Sequence, residues 1–198
     1  MQDNIIEEII AAGQRLAAQG LTHSQAGNIS CRIETGNILI TASGINKGKL
    51  SSRDVLLVDD EGHMYQGSVA NRPSSETALH VALYRKYAHI AAIVHAHPPY
   101  ATALSCTDRE LDWRLLEETV IFLGPVPLLP RFKAGSLELA QATAQAAAGV
   151  NALLLAGHGV ISWGENIEQA LSRMEIIEHT AQVMMLRTMF EQTGTDHV

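Results

Sequence analysis

The chain has 198 residues, 46% of them hydrophobic and 18% charged, with 14 Lys plus Arg against 21 Asp plus Glu and a formal net charge of -7. A chain of this size buries roughly 70% of its unfolded surface, so it needs neither disulfides nor a structural metal to fold. The acidic balance and the lack of a Lys/Arg-rich run argue against a general nucleic-acid binder, and no apolar stretch is long and unbroken enough to span a bilayer. Met1-Gln2-Asp3-Asn4 is polar and acidic, so no signal peptide is expected. Cys31 and Cys106 are far apart and form no CxxC; two reduced, buried thiols in a cytoplasmic protein are expected.

Asp3 or Asn4 can cap a first helix with apolar positions Ile5, Ile6, Ile9, Ile10, Leu16 and Ala17, stopped by Gly20. Gly27 to Ile33 and Asn37 to Thr41 read as strands joined at Glu34-Thr35-Gly36. Val55 to Val58 and His63 to Tyr65 form another hairpin, turned at residues 59–62. Ser74-Ser75-Glu76 opens a second helix running through Leu79, Leu83 and Tyr87. Ile90 to His97 is a buried strand, and Pro98-Pro99 ends it and starts a helix. Val120-Ile121-Phe122 and Val126 to Leu129 are read as a short strand region. Ser136 to Ala148 is an Ala-rich helix. Asn151 to Ala156 and Val160 to Ser162 are strands around Gly157-His158-Gly159, and Asn166 to Phe190 is a long final helix. No linker or repeat divides the chain, so residues 1–198 are expected to form one α/β domain. Its hairpins point to a mainly antiparallel or mixed sheet between helix layers.

His95-Ala96-His97 ends an apolar strand, where residues i and i+2 share a face. An HxH pair alone is more often coincidence than a metal site. His158, between two glycines after a second strand, shifts the balance, because three imidazoles with one open position are a catalytic-zinc arrangement. His23, His63 and His89 are expected at the surface, and His197 in a frayed tail. His80 packs or lines the same pocket, and His179 pairs with Glu175 one turn earlier.

Gly27-Asn28, Thr41-Ala42-Ser43-Gly44 and Ser74-Ser75 are rich in small hydroxyl and amide donors. The last pair sits at a helix start, where free N–H groups favour an anion, so the three together could cradle a phosphate. Any one of them alone is better read as an ordinary turn or cap. Lys47 and Lys49 follow closely and are expected in solvent. Glu76 fits a first-turn carboxylate on dipole grounds alone, yet beside a metal strand it could shuttle a proton.

Gly27-Asn28-Ile29-Ser30, Thr41-Ala42-Ser43-Gly44, Arg72-Pro73-Ser74-Ser75-Glu76-Thr77, His95-Ala96-His97-Pro98-Pro99 and Gly157-His158-Gly159 occur in the order of one known family. Together they resemble the class II aldolase/adducin-type zinc enzymes, which include fuculose-1-phosphate aldolase, ribulose-5-phosphate 4-epimerase and methylthioribulose-1-phosphate dehydratase. The resemblance spans nearly the whole chain. It implies an α/β/α sandwich with a largely antiparallel sheet. It implies zinc, with cobalt or manganese as alternatives, on His95, His97 and His158. It implies a substrate phosphate held by Asn28, Ser43, Gly44, Ser74 and Ser75, with Glu76 as the acid/base. It further implies a homotetramer with sites between subunits, acting on a phosphorylated ketose. Glu76 and His97-Pro98-Pro99-Tyr100-Ala101 look like the aldolase branch, which would release dihydroxyacetone phosphate from a fuculose-, 5-deoxyribulose- or methylthioribulose-type 1-phosphate. The dehydratase and epimerase reactions use the same kind of site. A non-catalytic adducin-like domain should lack the zinc histidines, and all three are present here. Fuculose-phosphate aldolases place a Tyr after the zinc strand, whereas this chain has Trp113, Glu117 and Glu118 in that stretch.

Overall fold

The computed structural model describes residues 2–33, 35–66 and 71–193. Glu34 of the expected first hairpin turn and His197 of the tail lie outside them. Among the described residues eight strands form a single sheet in the order β4-β3-β2-β1-β5-β8-β7-β6. They are β1 (Asn28–Arg32), β2 (Ile38–Thr41), β3 (Val55–Val58), β4 (Met64–Gln66), β5 (Ala92–Ala96), β6 (Leu128–Leu129), β7 (Ala152–Leu155) and β8 (Gly159–Gly164). Every pairing is antiparallel except the two-residue one of β6 with β7.

Two apolar layers cover the sheet, as the alternation of strand side chains requires. Ile29, Leu39, Val94, Leu154 and Val160 face α1 (Gln2–Ala18), α3 (Pro99–Ser105) and α6 (Ile167–Thr193). Ile38, Ile40, Ile93, Leu153 and Ile161 face α2 (Thr77–Lys86) and α5 (Leu137–Ala146). The fold is thus the expected α/β/α sandwich. Asp3 lies in the first turn of α1 rather than before it. Ser136 caps α5, its hydroxyl accepting from Leu139 N at 3.1 Å.

Residues 120–122 differ from expectation: they belong to helix α4 (Glu117–Phe122), not to a strand. A short apolar run carries no period of its own, so its neighbours decide. Glu117 and Glu118 occupy the first turn, where negative charge is favourable. Thr119 is buried and bonds Thr180 on α6 at 2.7 Å. Val120, Ile121 and Phe122 are left 48%, 69% and 61% exposed. Both cysteines are free thiols; Cys31 is buried as expected, whereas Cys106 is exposed. Among the described residues no helix is long and apolar enough to cross a membrane.

The carboxylate of Glu178, on α6, accepts from Tyr100 N at 3.0 Å and Ala101 N at 2.8 Å. It satisfies amides at the start of α3 that have no partner within that helix. Glu178→Ala should therefore lower stability by about 2 kcal/mol. A lower urea midpoint with an unchanged slope checks this, and an unshifted midpoint contradicts it.

Candidate active site

The middle of the sheet brings the chemistry together. Strand register sets Asn28 on β1 and Ile161 on β8 opposite His95 on β5. His97 follows where β5 ends, and His158 sits in the turn between β7 and β8. The three rings lie with centroids 4.8, 5.0 and 5.1 Å apart. One ligand nitrogen from each falls within 4.8 Å of the others. Gly159 makes this approach possible: a Cβ there would come within 2.6 Å of Ala96 O and 2.7 Å of the His97 ring.

His95 is fully buried among the three, and its Nδ1 donates to Val160 O at 2.8 Å. That bond fixes the ring and aims Nε2 at Glu76 and the other two rings, where the neutral ring offers a lone pair to a cation and the protonated ring an N–H to the carboxylate. His97 Nε2 approaches His95 Nε2 to 3.2 Å. Burial, then the neighbouring His95 and His158, push His97 down to about 4. Burial and His95 likewise lower His158. For His95 burial acts downward, but the Glu76 carboxylate more than offsets it and raises the value.

Glu76 precedes α2, yet its side chain makes no capping bond to that helix. It turns inward and is only 7% exposed. Oε2 accepts from Asn28 Nδ2 at 2.9 Å and lies 3.2 Å from His95 Nε2, while Oε1 lies 3.4 Å from His158 Nε2. Burial pulls the carboxyl upward, but His95, His158 and the Asn28 amide together hold it well below the usual carboxylate range. Glu76 Oε1 is buried without a hydrogen-bond donor. Three converging imidazoles, one with its tautomer fixed, and an orphaned carboxylate oxygen beside them fit a divalent cation.

Asn28, Ser43, Gly44, Ser74, Ser75 and Glu76 line one cavity of about 180 Å³, together with His97 and His158. The two hydroxyl-rich loops are tied side by side by a bridge between Ala42 and Pro73 and by Ser43 N donating to Arg72 O at 2.8 Å. Thr41 stands apart: it is fully buried, and its hydroxyl accepts from Ile29 N at 3.2 Å.

A further set of residues stands behind the site. His80 Nε2 lies 2.5 Å from Asn28 Oδ1, and His80 Nδ1 lies 2.6 Å from Ser30 Oγ. Ser30 Oγ in turn lies 2.8 Å from Tyr84 OH. Because Asn28 Nδ2 faces a carboxylate, Oδ1 must accept, so His80 carries its proton on Nε2. Ser30 then donates to Nδ1, and Tyr84 to Ser30. Burial pushes His80 down to about 3, which keeps the ring neutral. The sequence did hold a signal for this chain: His80 follows Glu76 by one helical turn, and Ser30 follows Asn28 by two on a strand. His179 departs from expectation, since Glu175 binds Arg15 at 2.6 Å and His179 faces Glu118 at 3.8 Å. Lys47 departs too, being buried at the cavity.

The family described as Class II Aldolase and Adducin N-terminal domain matches residues 7–185. The chain is 35% identical to a 5-deoxy-D-ribulose 1-phosphate aldolase of Bacillus thuringiensis serovar kurstaki, over 89% of this chain and 82% of that one. It is 32% identical to a 3-oxo-tetronate 4-phosphate decarboxylase of Escherichia coli (strain K12), over 94% and 88%. Its structure matches the L-fuculose-1-phosphate aldolase of Thermus thermophilus with a TM-score of 0.84 and 32% identity, covering 98% of each chain. On sequence and fold alike, this chain is an enzyme of the class II aldolase and adducin family.

Proposed function

We propose that residues 1–198 act as one domain, a zinc-dependent aldolase that cleaves a (deoxy)ketose 1-phosphate to dihydroxyacetone phosphate and an aldehyde. The observation that carries this reading is the Glu76 carboxylate set between Asn28 and two of three converging imidazoles, at the wall of a hydroxyl-lined cavity. Zinc is the proposed metal, with cobalt or manganese as alternatives; His95, His97 and His158 would hold it, and when bound it supplies Lewis-acid stabilisation of developing oxyanion charge.

The chain's own residues do the rest. Asn28, Ser43, Gly44, Ser74 and Ser75 offer amide, hydroxyl and backbone donors to the phosphate, Asn28 with the second N–H of the amide that holds Glu76, and the start of α2 lies at the same cavity. Holding that end fixes the reacting carbons next to Glu76. Asn28, oriented by His80, keeps the Glu76 carboxylate in place and unprotonated at neutral pH. In the condensation direction Glu76 removes a proton from the carbon of dihydroxyacetone phosphate that attacks the aldehyde. In the cleavage direction the hydroxyl on the neighbouring carbon loses its proton as the carbon–carbon bond breaks, and Glu76, having taken up a proton from the cavity, delivers it to the same carbon.

A second reading is decarboxylation of a phosphorylated oxo acid in the same cavity. The observation favouring it is Arg131, whose guanidinium lies 3.7 Å from where a Gly157 Cβ would stand, next to His158. Arg131 is exposed and forms no ion pair among the described residues, so it is free to receive a carboxylate. Dehydration or 4-epimerisation of a ketose phosphate is the remaining alternative. We also place the enzyme in the cytoplasm as a homotetramer with its sites at subunit interfaces. Ile121 and Phe122 on α4 and Met185 on α6 support the assembly, being large apolar groups that are 50% or more exposed. A mass by light scattering near that of a single chain would contradict it.

A panel of ketose 1-phosphates decides the reaction. Dihydroxyacetone phosphate should form from at least one of them, and carbon dioxide from an oxo-acid phosphate would select the second reading instead. His95→Ala should lose both bound metal and roughly 100-fold or more in turnover, as read by metal analysis and steady-state rates. Full activity in metal-free variant protein contradicts the metal role. Glu76→Gln should keep its metal but slow deuterium wash-in to dihydroxyacetone phosphate by about 100-fold or more, and unchanged exchange removes Glu76 from the mechanism.

A further inference from the structure

Lys47 is 1% exposed. Its Nζ donates to Ile45 O at 2.6 Å and to Gln25 O at 3.3 Å. Among the described residues the third N–H meets no acceptor, and no carboxylate pairs with the ammonium. A cation taken from water without a counter-ion is costly to keep, and burial pushes this one down to about 8.

The surrounding chain holds the group rigidly. Lys47–Lys49 is a 3-10 turn, with Asn46 Oδ1 accepting from Gly48 N at 2.9 Å. The turn is seated on α1 at Gly13, where a Cβ would come within 2.6 Å of Lys47 O. A glycine inside a helix weakens the helix, yet only a glycine admits this close seat. Lys47 follows Ser43 and Gly44 on one loop, lines the same cavity as they do, and is the one Lys or Arg among the lining residues. The other expected phosphate partners there are neutral, and Glu76 is anionic. A doubly charged phosphate beside the anionic Glu76 gains from a cation on its own side, which the neutral hydroxyl and amide donors do not supply.

We infer that Lys47 is the charged member of the phosphate cradle, its free N–H kept for an oxygen of the substrate's phosphate monoester. The inference rests on the phosphorylated-substrate reading above and adds the residue that neutralises the anion.

The test titrates inorganic phosphate into the metal-loaded protein by calorimetry, comparing wild type, K47M and K49M. Wild type and K49M should bind alike. K47M should bind roughly tenfold to hundredfold more weakly at equal metal content, the loss expected for one charge-assisted hydrogen bond. With whichever ketose phosphate the panel selects, K47M should raise KM in proportion and leave kcat nearly unchanged. Equal phosphate affinity in wild type and K47M overturns the assignment and leaves the cradle standing. No phosphate binding by wild type refutes the phosphate reading itself, and Lys47's role with it. Should K47M fail to melt cooperatively, K47Q takes its place under the same thresholds, since its amide can still donate to Ile45 O.

Discussion

The hydrogen bond from Asn28 to Glu76 is the constraint on which the site depends. A carboxylate at the start of a helix ordinarily faces water and caps the helix. Here it is buried, and a buried anion persists only with partners. Asn28 supplies one such partner from β1, while β1's register against β5 supplies another in His95. Three elements far apart in the chain therefore meet at one carboxyl group. Each is held by ordinary means: a strand ladder, a helix start and a hairpin turn.

Much of this was legible in the sequence. Strands with period-2 alternation and helices with clear apolar faces appear close to where those patterns put them. The imidazoles were legible because HxH on a strand and a glycine-flanked His158 both announce direction. The hydroxyl-rich loops were legible only as a set, since each alone is an ordinary turn. What escaped depended on distant partners. Lys47 reads as a solvated loop residue until α1, more than 30 positions earlier, presents Gly13 to its backbone. Residues 120–122 look like a strand until α6 offers Thr180 to Thr119. His80 has the spacing of a pocket residue and also of a core residue, and it is both: buried completely, and bonded to the side chain that holds Glu76.

The loop wall of the cavity and the surface beside the His158 turn differ in how firmly they are built. The wall around Ser43, Ser74 and Lys47 is cross-tied between two loops and seated on α1 at Gly13. Such a surface suits one chemical group and tolerates little variation. Arg131, by contrast, is exposed and comes from the segment after β6. Relatives about one-third identical to this chain carry out different reactions on different phosphorylated compounds. Under the proposed phosphate reading, a fixed anchor with a changeable neighbouring surface is a physical route to that diversity.

The chain of bonds behind Glu76 has one more consequence. It passes through a carboxamide, which at neutral pH neither gains nor gives up a hydrogen ion. Asn28 thus orients Glu76 while insulating it from His80, Ser30 and Tyr84. Among the described residues no proton relay passes through Asn28 from the carboxyl group to that buried chain. Under the role proposed for Glu76, a hydrogen ion it takes up lies toward the cavity, and a ligand filling that side would trap it beside the carbon from which it came.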